Sequence, residues 1–268
     1  MGLRIQNNVE AFNTHRQLTA TGVAASKSME KLSSGYRINR AADDAAGLAI
    51  SEKMRGQIGG LAQAQRNAQD GISLVQTAEG ALQTVHSMLQ RVRELAVQYK
   101  NDTLSATNRT AIQSEVFQLA SEIDRIGSTT KFNGICLLNN TSAVSFQVGA
   151  NDSEQIAVSM INLTGQNGTN YFNLTAAGTA DISEIDAVID AVSGQRAALG
   201  AVQNRLQYSL ENVGIYQENL VAAESRIRDV DMAAETVELT KNQILAQAGT
   251  AMLAQANQAG QGVLGLLR

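Results

Sequence analysis

The chain has 268 residues with a net charge of −4, no proline, no tryptophan and one cysteine, Cys136. The charge is too small to indicate nucleic acid or a membrane surface as a partner, and a single cysteine excludes a disulfide framework within the chain. Average usage would give about 13 prolines. Because proline removes a backbone donor and crowds the preceding helical turn, its absence permits long uninterrupted helices.

Residues 1–36 carry a thin apolar stripe that predicts a helix of marginal stability, because nucleation is costly and few apolar side chains are available for burial. The stripe consists of Ile5, Val9, Phe12 and Val23, with polar Arg16 and Thr19 between them. The charges bunched in residues 37–47 predict a connector after this helix. The first residues lack the apolar segment of a secretory signal, so we expect no cleavable signal peptide.

Two further helices are predicted over about 48–99 and about 105–126, where apolar residues recur at steps of three and four. The apolar seam of the longer helix is Ala68, Ile72, Val75, Ala78, Leu82, Val85, Leu89, Val92, Ala96 and Tyr99. The seam of the shorter helix is Ile112, Val116, Leu119, Ile123 and Ile126. Glycines such as Gly71 and Gly80 weaken the longer helix by up to about 1 kcal/mol each, so packing must offset them.

After Gly127 the pattern changes to an alternation of apolar and polar residues, which is typical of strands. Apolar side chains occupy alternate positions in 144–148 and in 156–160, and turn residues lie between the two runs. We therefore predict a β-hairpin. Residues 161–180 are rich in Asn, Thr and Gly, and are expected to form a surface segment with room for one more short strand.

The longest regular pattern begins at Ile185 and continues to Val230. Steps of three and four give fourteen positions, of which only Gln195 and Ser209 are polar. This is the a/d repeat of a coiled coil, kept for about six heptads. At about 1.5 Å per residue it predicts a helix roughly 70 Å long. Residues 232–267 follow as a terminal helix with no charged residue after Lys241.

These elements predict a mainly α fold. We expect a long antiparallel helical coiled-coil rod with a small β-hairpin region, and N- and C-terminal helices paired at one end. Both terminal segments have thin apolar faces and would be marginal alone. The expected parts are an inner domain of terminal helices (1–36 plus 232–268), a connector (37–47), a rod domain (48–140 plus 181–231) and a variable surface segment (141–180).

The sequence shows no pattern of catalytic or metal-binding residues, and we expect neither an enzyme nor a cofactor. His15 and His86 lie far apart and outside an HExxH pattern, and no phosphate-binding or nucleophile motif occurs. The adjacent Asp43 and Asp44 are expected to be solvated in the connector rather than to act as an acid–base pair. The apolar neighbours of Cys136 favour an inert, half-buried thiol.

Several longer segments carry a more specific resemblance. KLSSGYRINRAADDAAGLAI, RNAQDGISLVQTAEGAL, LQRVRELAVQ and FNGICLL closely resemble the N-terminal part of the bacterial flagellin family. LGAVQNRL, ESRIRDVDMAAE, QILAQAGTAMLAQANQ and VLGLLR resemble its C-terminal part. The resemblance covers residues 4–150 and 185–268 in the family's order and spacing, and the chain is identified as a member.

The resemblance implies a structural subunit that polymerises into the flagellar filament for swimming motility. It implies export through the flagellar type III apparatus to an extracellular position, without a cleavable signal, and the short central segment is typical of a minimal flagellin. The terminal segments would be disordered in the monomer and fold when neighbouring subunits cover them. The implied partners are copies of the chain itself in a helical homopolymer, flagellar cap and junction proteins, a type III export chaperone, and host receptors of the TLR5 and NAIP types.

The resemblance also implies site residues. The residues expected to serve assembly are Ile5, Val9, Phe12, Val263, Leu264, Leu266, Leu267 and Arg268. The residues expected to bind the innate immune receptor TLR5 are Gln90, Arg91, Leu95 and Glu115. Arg91 and Leu95 would lie one turn apart on one helix face, and the alternative is that these four residues serve subunit packing. The closing Leu266, Leu267 and Arg268 resemble the part read by NAIP-type sensors.

Three other interpretations compete with this one. A hook–filament junction protein shares the terminal architecture, but the matches AQDGISLVQTAEGAL and LAQANQ favour flagellin. An enzyme on the same scaffold has little room, because residues 141–180 contain no His or Cys. A generic coiled-coil adhesin does not explain the uncharged tail. The chain departs from the family in lacking a proline near Ala259–Gly260 and in carrying Cys136, where Lys or a β-branched residue is common.

Overall fold

The computed structural model describes residues 7–139, 142–162 and 182–266, with side chains as far as Gln258. Its helices are α1 (Val9–Ser34), α2 (Ala45–Tyr99), α3 (Ala106–Thr129), α4 (Ile182–Arg228) and α5 (Met232–Leu266). Its strands are β1 (Lys131–Phe132), β2 (Ile135–Cys136), β3 (Val144–Gln147) and β4 (Gln155–Val158). The prediction of a mainly α chain with a small β-hairpin region is confirmed. One more short strand was expected within residues 161–180, of which the structure describes only residues 161 and 162.

Side-chain caps explain where two of the helices begin. Asp44 accepts a hydrogen bond from the Gly47 N–H at 2.8 Å, so α2 begins slightly before the predicted residue 48. Ser105 accepts from the Asn108 N–H at 3.3 Å and caps α3. Short polar side chains at these positions satisfy backbone donors that the first turn of a helix leaves free.

Packing divides the chain into two compact units. One is formed by residues 1–56 and 219–268, and the other by residues 57–218. Both α2 and α4 contribute residues to each unit. The sequence pattern instead predicted domain boundaries at residues 36, 48 and 231. These boundaries stay a prediction.

An α4 heptad has two apolar positions, and one of these two sets of residues lies in the core of the unit 57–218. The fully buried positions of this set are Ile185, Val192, Leu199 and Leu206, which recur every seven residues. The other set, which includes Val188 and Val202, is half-buried at the edge of the core. Facing residues in the same core are Val75, Ala78, Leu82, Val85, Leu89 and Val92 of α2 and Ile112, Val116 and Ile123 of α3. The heptad predictions for these helices are confirmed at these positions.

β3 and β4 form the predicted antiparallel hairpin, with Phe146 opposite Ile156. Two amide side chains tie this hairpin to the helices of the same unit. Asn67 of α2 donates to the β3 backbone at 3.1 Å, and Gln195 of α4 donates to the Ser159 carbonyl at 2.7 Å. Gln195 is one of the two polar positions in the α4 heptad, and this bond explains why a polar residue is tolerated there.

The β1–β2 hairpin was not predicted from the sequence. The chain reverses through Asn133 and Gly134, which have φ angles of 46° and 81°. An Asn-Gly pair suits a two-residue hairpin turn because both central residues need positive φ. Strands of two residues are too short to show alternation. Cys136 in β2 is half-buried, as expected.

Gly71 of α2 is expected to be required by packing, unlike Gly80 of the same helix. A Cβ added at Gly71 would lie 3.2 Å from Phe146 and 3.3 Å from Leu206, whereas nothing lies within 4 Å of one added at Gly80. Gly71→Val should therefore lower the free energy of unfolding by about 1–3 kcal/mol through overpacking. Gly80→Val should be close to neutral, and urea unfolding of both variants measures the difference. Equal stabilities would contradict the close contact.

Candidate functional site

α1 and α5 pack against each other as an antiparallel pair. Asn8 before α1 donates to the Ala256 carbonyl of α5 at 2.8 Å, whereas Lys31 in the last turn of α1 lies 3.4 Å from Glu235 in the first turn of α5. The Asn8 side chain also caps α1, because its Oδ1 accepts from the Ala11 N–H at 3.0 Å. One side chain therefore both begins α1 and ties it to α5.

The interface between α1 and α5 consists mainly of small and polar side chains. Thr21 is 9% exposed and Ser28 is 4% exposed, and Asn242 of α5 is also buried. The Thr21 hydroxyl donates to a carbonyl one turn earlier in its own helix at 2.9 Å. A Cβ added at Gly249 would lie 3.2 Å from Leu18 Cδ1, so glycine permits this close approach. Such an interface brings the two helices close together but buries little apolar area.

Several large apolar side chains of both helices lie on the outside of the pair, although Leu18 and Leu253 are half-buried. Phe12 is 72% exposed and Ile244 is 60% exposed. Phe12 and the buried Thr21 are nine positions apart, which is about 180° around a helix of 3.6 residues per turn. The exposed members of this surface are Val9, Phe12 and Val23 on α1 and Val237, Ile244, Leu245 and Met252 on α5. We call these seven residues the outer apolar surface.

The residues expected to serve assembly are only partly within the described structure. Val9 and Phe12 belong to the outer apolar surface. Val263, Leu264 and Leu266 lie in α5, where only the backbone is described. Ile5, Leu267 and Arg268 lie outside the described residues. Their role in assembly stays a prediction.

Three of the four expected receptor residues lie close together on an exposed face. Arg91 donates to Glu115 of α3 at 3.0 Å and to Glu94 at 3.2 Å. These carboxylates raise the pKa of Arg91, Glu115 most strongly. Gln90 is exposed beside this group. Leu95 is only 2% exposed and belongs to the core, so it does not share the exposed face of Arg91; the receptor role of the four residues stays a prediction.

The adjacent carboxylates of Asp43 and Asp44 bind backbone groups rather than each other. Asp43 accepts from the Arg40 N–H at 3.0 Å and from the Asn39 N–H at 3.3 Å. The Arg40 N–H is the main cause that lowers the Asp43 pKa. Asp44 caps α2 through Gly47. The pair therefore shapes the connector, and its carboxylates are occupied in hydrogen bonds to the backbone.

The described part of the chain contains neither a metal-binding cluster nor a membrane-spanning helix. Within residues 7–139, 142–162 and 182–266, no three His, Cys, Asp or Glu side chains are grouped so that they could hold a metal ion. In the same ranges, no helix is long and apolar enough to cross a membrane.

Family models match both halves of the chain. The model described as the bacterial flagellin N-terminal helical region matches residues 5–143, and the model described as the C-terminal helical region matches residues 182–267. The chain belongs to the bacterial flagellin family. Membership makes it a structural protein, a subunit of the flagellar filament.

Individual flagellins match over nearly the whole length of the chain. The flagellin of Bacillus subtilis is 50% identical over 304 residues, covering 99% of this chain and 100% of that protein. The flagellin of Halalkalibacterium halodurans is 53% identical over 274 residues, covering 98% and 99%. A crystal structure of Bacillus cereus flagellin aligns with a TM-score of 0.49 and 30% identity, covering 55% of this chain and 88% of that one.

The predicted pairing of the terminal helices is confirmed by the contact between α1 and α5, but the residues that form this interface were not identified from the sequence. The residues that form it recur at heptad spacing in both helices. On α1 they include Thr14, Thr21 and Ser28, and on α5 Asn242, Gly249 and Ala256. This spacing is visible in the sequence, but a pattern of apolar residues does not reveal it because these residues are small or polar.

Asn8→Ala should open the first turn of α1, because it removes both the cap and the bond to α5. Loss of an N-cap costs about 1 kcal/mol, so amide exchange at Ala11 should become about fivefold faster. Asn13→Ala is the matched control, since Asn13 binds only the exposed Arg16 side chain, at 3.0 Å. Hydrogen exchange of the assembled chains, in which α1 is ordered, compares the two variants, and equal exchange at Ala11 would refute the capping role.

Proposed function

We propose that this chain polymerises with copies of itself into the extracellular flagellar filament, and that the outer apolar surface of α1 and α5 makes contacts between subunits. The observation that carries this proposal is the packing of the pair: its most buried positions are small or polar, while seven large apolar side chains are exposed. Full burial of a large apolar side chain contributes on the order of 1.5–3 kcal/mol. Seven such side chains on two helices form a surface that favours association.

The same packing supports folding of the terminal helices during assembly. The interface between α1 and α5 buries few large side chains, so the pair gains little to offset the entropy lost when two long helices become ordered. Contacts that cover the outer surface would supply the missing stabilisation. Ordering of the terminal helices would thus be coupled to addition of a subunit.

Seeded polymerisation tests the proposal directly. Purified chain is mixed with short filament seeds, imaged by electron microscopy and followed by far-UV circular dichroism. We expect long filaments and a gain of helical signal as subunits add. Addition of a single layer to a seed, without elongation, would instead indicate a hook–filament junction protein.

Replacing Phe12 and Ile244 together by Asn should abolish elongation, because it removes two large apolar side chains from the outer surface. The soluble chain should unfold at an unchanged temperature, since neither side chain is buried in it. The matched control replaces the exposed Gln17 and Gln243 by Asn on the same two helices. Elongation at the same rate in both double variants would exclude the outer surface from assembly.

The family resemblance extends the proposal to export and delivery. We propose type III export, a chaperone that binds the C-terminal segment, and insertion beneath a cap protein at the filament end. The absence of charged residues after Lys241 until Arg268 supports a C-terminal segment that needs cover before assembly. NAIP-type sensors would read Leu266, Leu267 and Arg268, two of which lie outside the described residues.

We also propose that TLR5 binds the exposed group formed by Gln90, Arg91 and Glu115. The planar Arg91 guanidinium is about half exposed and is oriented by Glu115 and Glu94. An oriented arginine loses less rotational entropy when it binds a partner. Leu95 is better explained as a core residue, because Leu→Ala in a core costs about 2–5 kcal/mol and would reduce signalling through instability.

Arg91→Ala should lower receptor activation by soluble chain at least tenfold, since one arginine hot spot is worth about 2 kcal/mol or more. Arg125→Ala is the matched control, because Arg125 also forms an exposed ion pair one turn along its helix, with Glu122. A cell-based reporter of TLR5 measures both variants at equal concentration. Unchanged activation by Arg91→Ala would reject the proposed contact.

A further inference from the structure

The methionines of the two compact units differ in their exposure to solvent. In the unit formed by residues 57–218, Met160 is 8% exposed and Met88 is half-buried against the core. In the other unit three methionines are exposed: Met29, Met232 and Met252. The sulfur of an exposed methionine can meet dissolved reagents, whereas a packed core shields the sulfur of a buried one.

Met252 is the most exposed of these three, at 62%, and belongs to the outer apolar surface. It follows Leu245 by seven residues, so the two side chains lie on the same flank of α5. α5 carries no charged residue after Lys241. Met252 therefore lies in apolar and uncharged surroundings, on a surface that needs to be covered.

The other two exposed methionines lie at the charged end of the pair formed by α1 and α5. Met29 is followed closely by Lys31, which forms an ion pair with Glu235 at 3.4 Å. Met232 lies in the same first turn of α5 as Glu235. A polar group formed at either methionine would find water and charged neighbours. Met29 and Met232 are therefore natural comparisons for Met252.

Hydroperoxides such as hydrogen peroxide oxidise the methionine thioether by transfer of an oxygen atom. The sulfur lone pair attacks the peroxide, the O–O bond breaks, an S–O bond forms and water leaves. The sulfur is oxidised and the peroxide is reduced. The product is a polar and chiral sulfoxide that disrupts apolar contacts, and methionine sulfoxide reductases convert it back to the thioether.

We propose that Met252 is an oxidation site for hydroperoxides, and that its oxidation in the free chain prevents addition of that chain to a filament. The second part rests on the proposed function, in which other subunits cover the outer apolar surface, and the first part does not. Met252 is accessible in the free chain whether α5 is paired or unfolded. A sulfoxide covered by an apolar contact would lack a hydrogen-bond partner, which is unfavourable. In a finished filament the same contact would shield the sulfur.

The first measurement is the rate of sulfoxide formation at each methionine. The soluble chain is treated with hydrogen peroxide, the reaction is stopped with catalase, and peptides are analysed by mass spectrometry. Oxidation at Met252 should be at least about tenfold faster than at Met160, because reaction at Met160 requires opening of a folded core. Equal rates would overturn the first part. In filaments the rate at Met252 should fall about tenfold, and an unchanged rate would overturn the second part.

The second measurement is elongation of seeds by treated chains, each compared with its own untreated sample. Treatment should slow elongation by the natural chain about tenfold. Met252→Leu, which keeps an apolar side chain of similar volume, should show little change on treatment. Equal losses in the natural and Met252→Leu chains would overturn the second part.

The matched control is Met29→Leu with Met232→Leu, in which Met252 is the only exposed methionine among the described residues. This double variant should lose elongation on treatment as the natural chain does, and methionine sulfoxide reductases should restore it. Elongation that survives treatment would contradict a role for Met252. If the untreated natural chain forms no filaments, the proposed function fails, while the peptide rates still decide whether Met252 is the oxidation site.

Discussion

The contact between α1 and α5 determines which apolar side chains of the terminal helices stay exposed and can bind other subunits. Its buried positions are taken by residues such as Thr21 and Ser28, and Gly249 lets the backbones approach closely. Large side chains such as Phe12 and Ile244 are consequently left outside. An exposed apolar surface of this kind is stable only when something covers it. The packing within the pair therefore creates the need for contacts outside it.

The unit formed by residues 57–218 packs differently, because large aliphatic side chains form its core. Val192, Leu199 and Leu206 point inward at every seventh position, and α2 and α3 supply facing aliphatic residues. Where this unit has a polar residue in the heptad, as at Gln195, the side chain binds a backbone carbonyl. The unit thus buries most of its heptad side chains within itself. It can be folded in the monomer, whereas the terminal pair depends on its surroundings.

Sequence pattern predicted the elements whose position is decided by burial of aliphatic residues. Heptad spacing predicted the ends of α2, α3 and α4 to within a few residues, and apolar–polar alternation predicted β3 and β4. The buried line through Thr21 and Asn242 was not predicted, because small polar residues at heptad spacing occur equally on exposed faces. The Arg228–Glu52 contact joins residues 176 positions apart. No local pattern indicates such a pair, since it depends on how two breaks between helices meet.

Acid would act on the two units through carboxylates that link different helices. Arg228 lowers the pKa of Glu52, and the Arg93 guanidinium lowers that of Asp186. A carboxylate with a lowered pKa in the folded state contributes stability above its unfolded pKa, and loses it as the pH falls through the folded value. The pKa of Glu122 is lowered too, but its partner lies one turn along α3. Protonation of Glu122 therefore loosens no contact between helices, whereas protonation of Glu52 weakens the ion pair that joins Arg228 of α4 to α2.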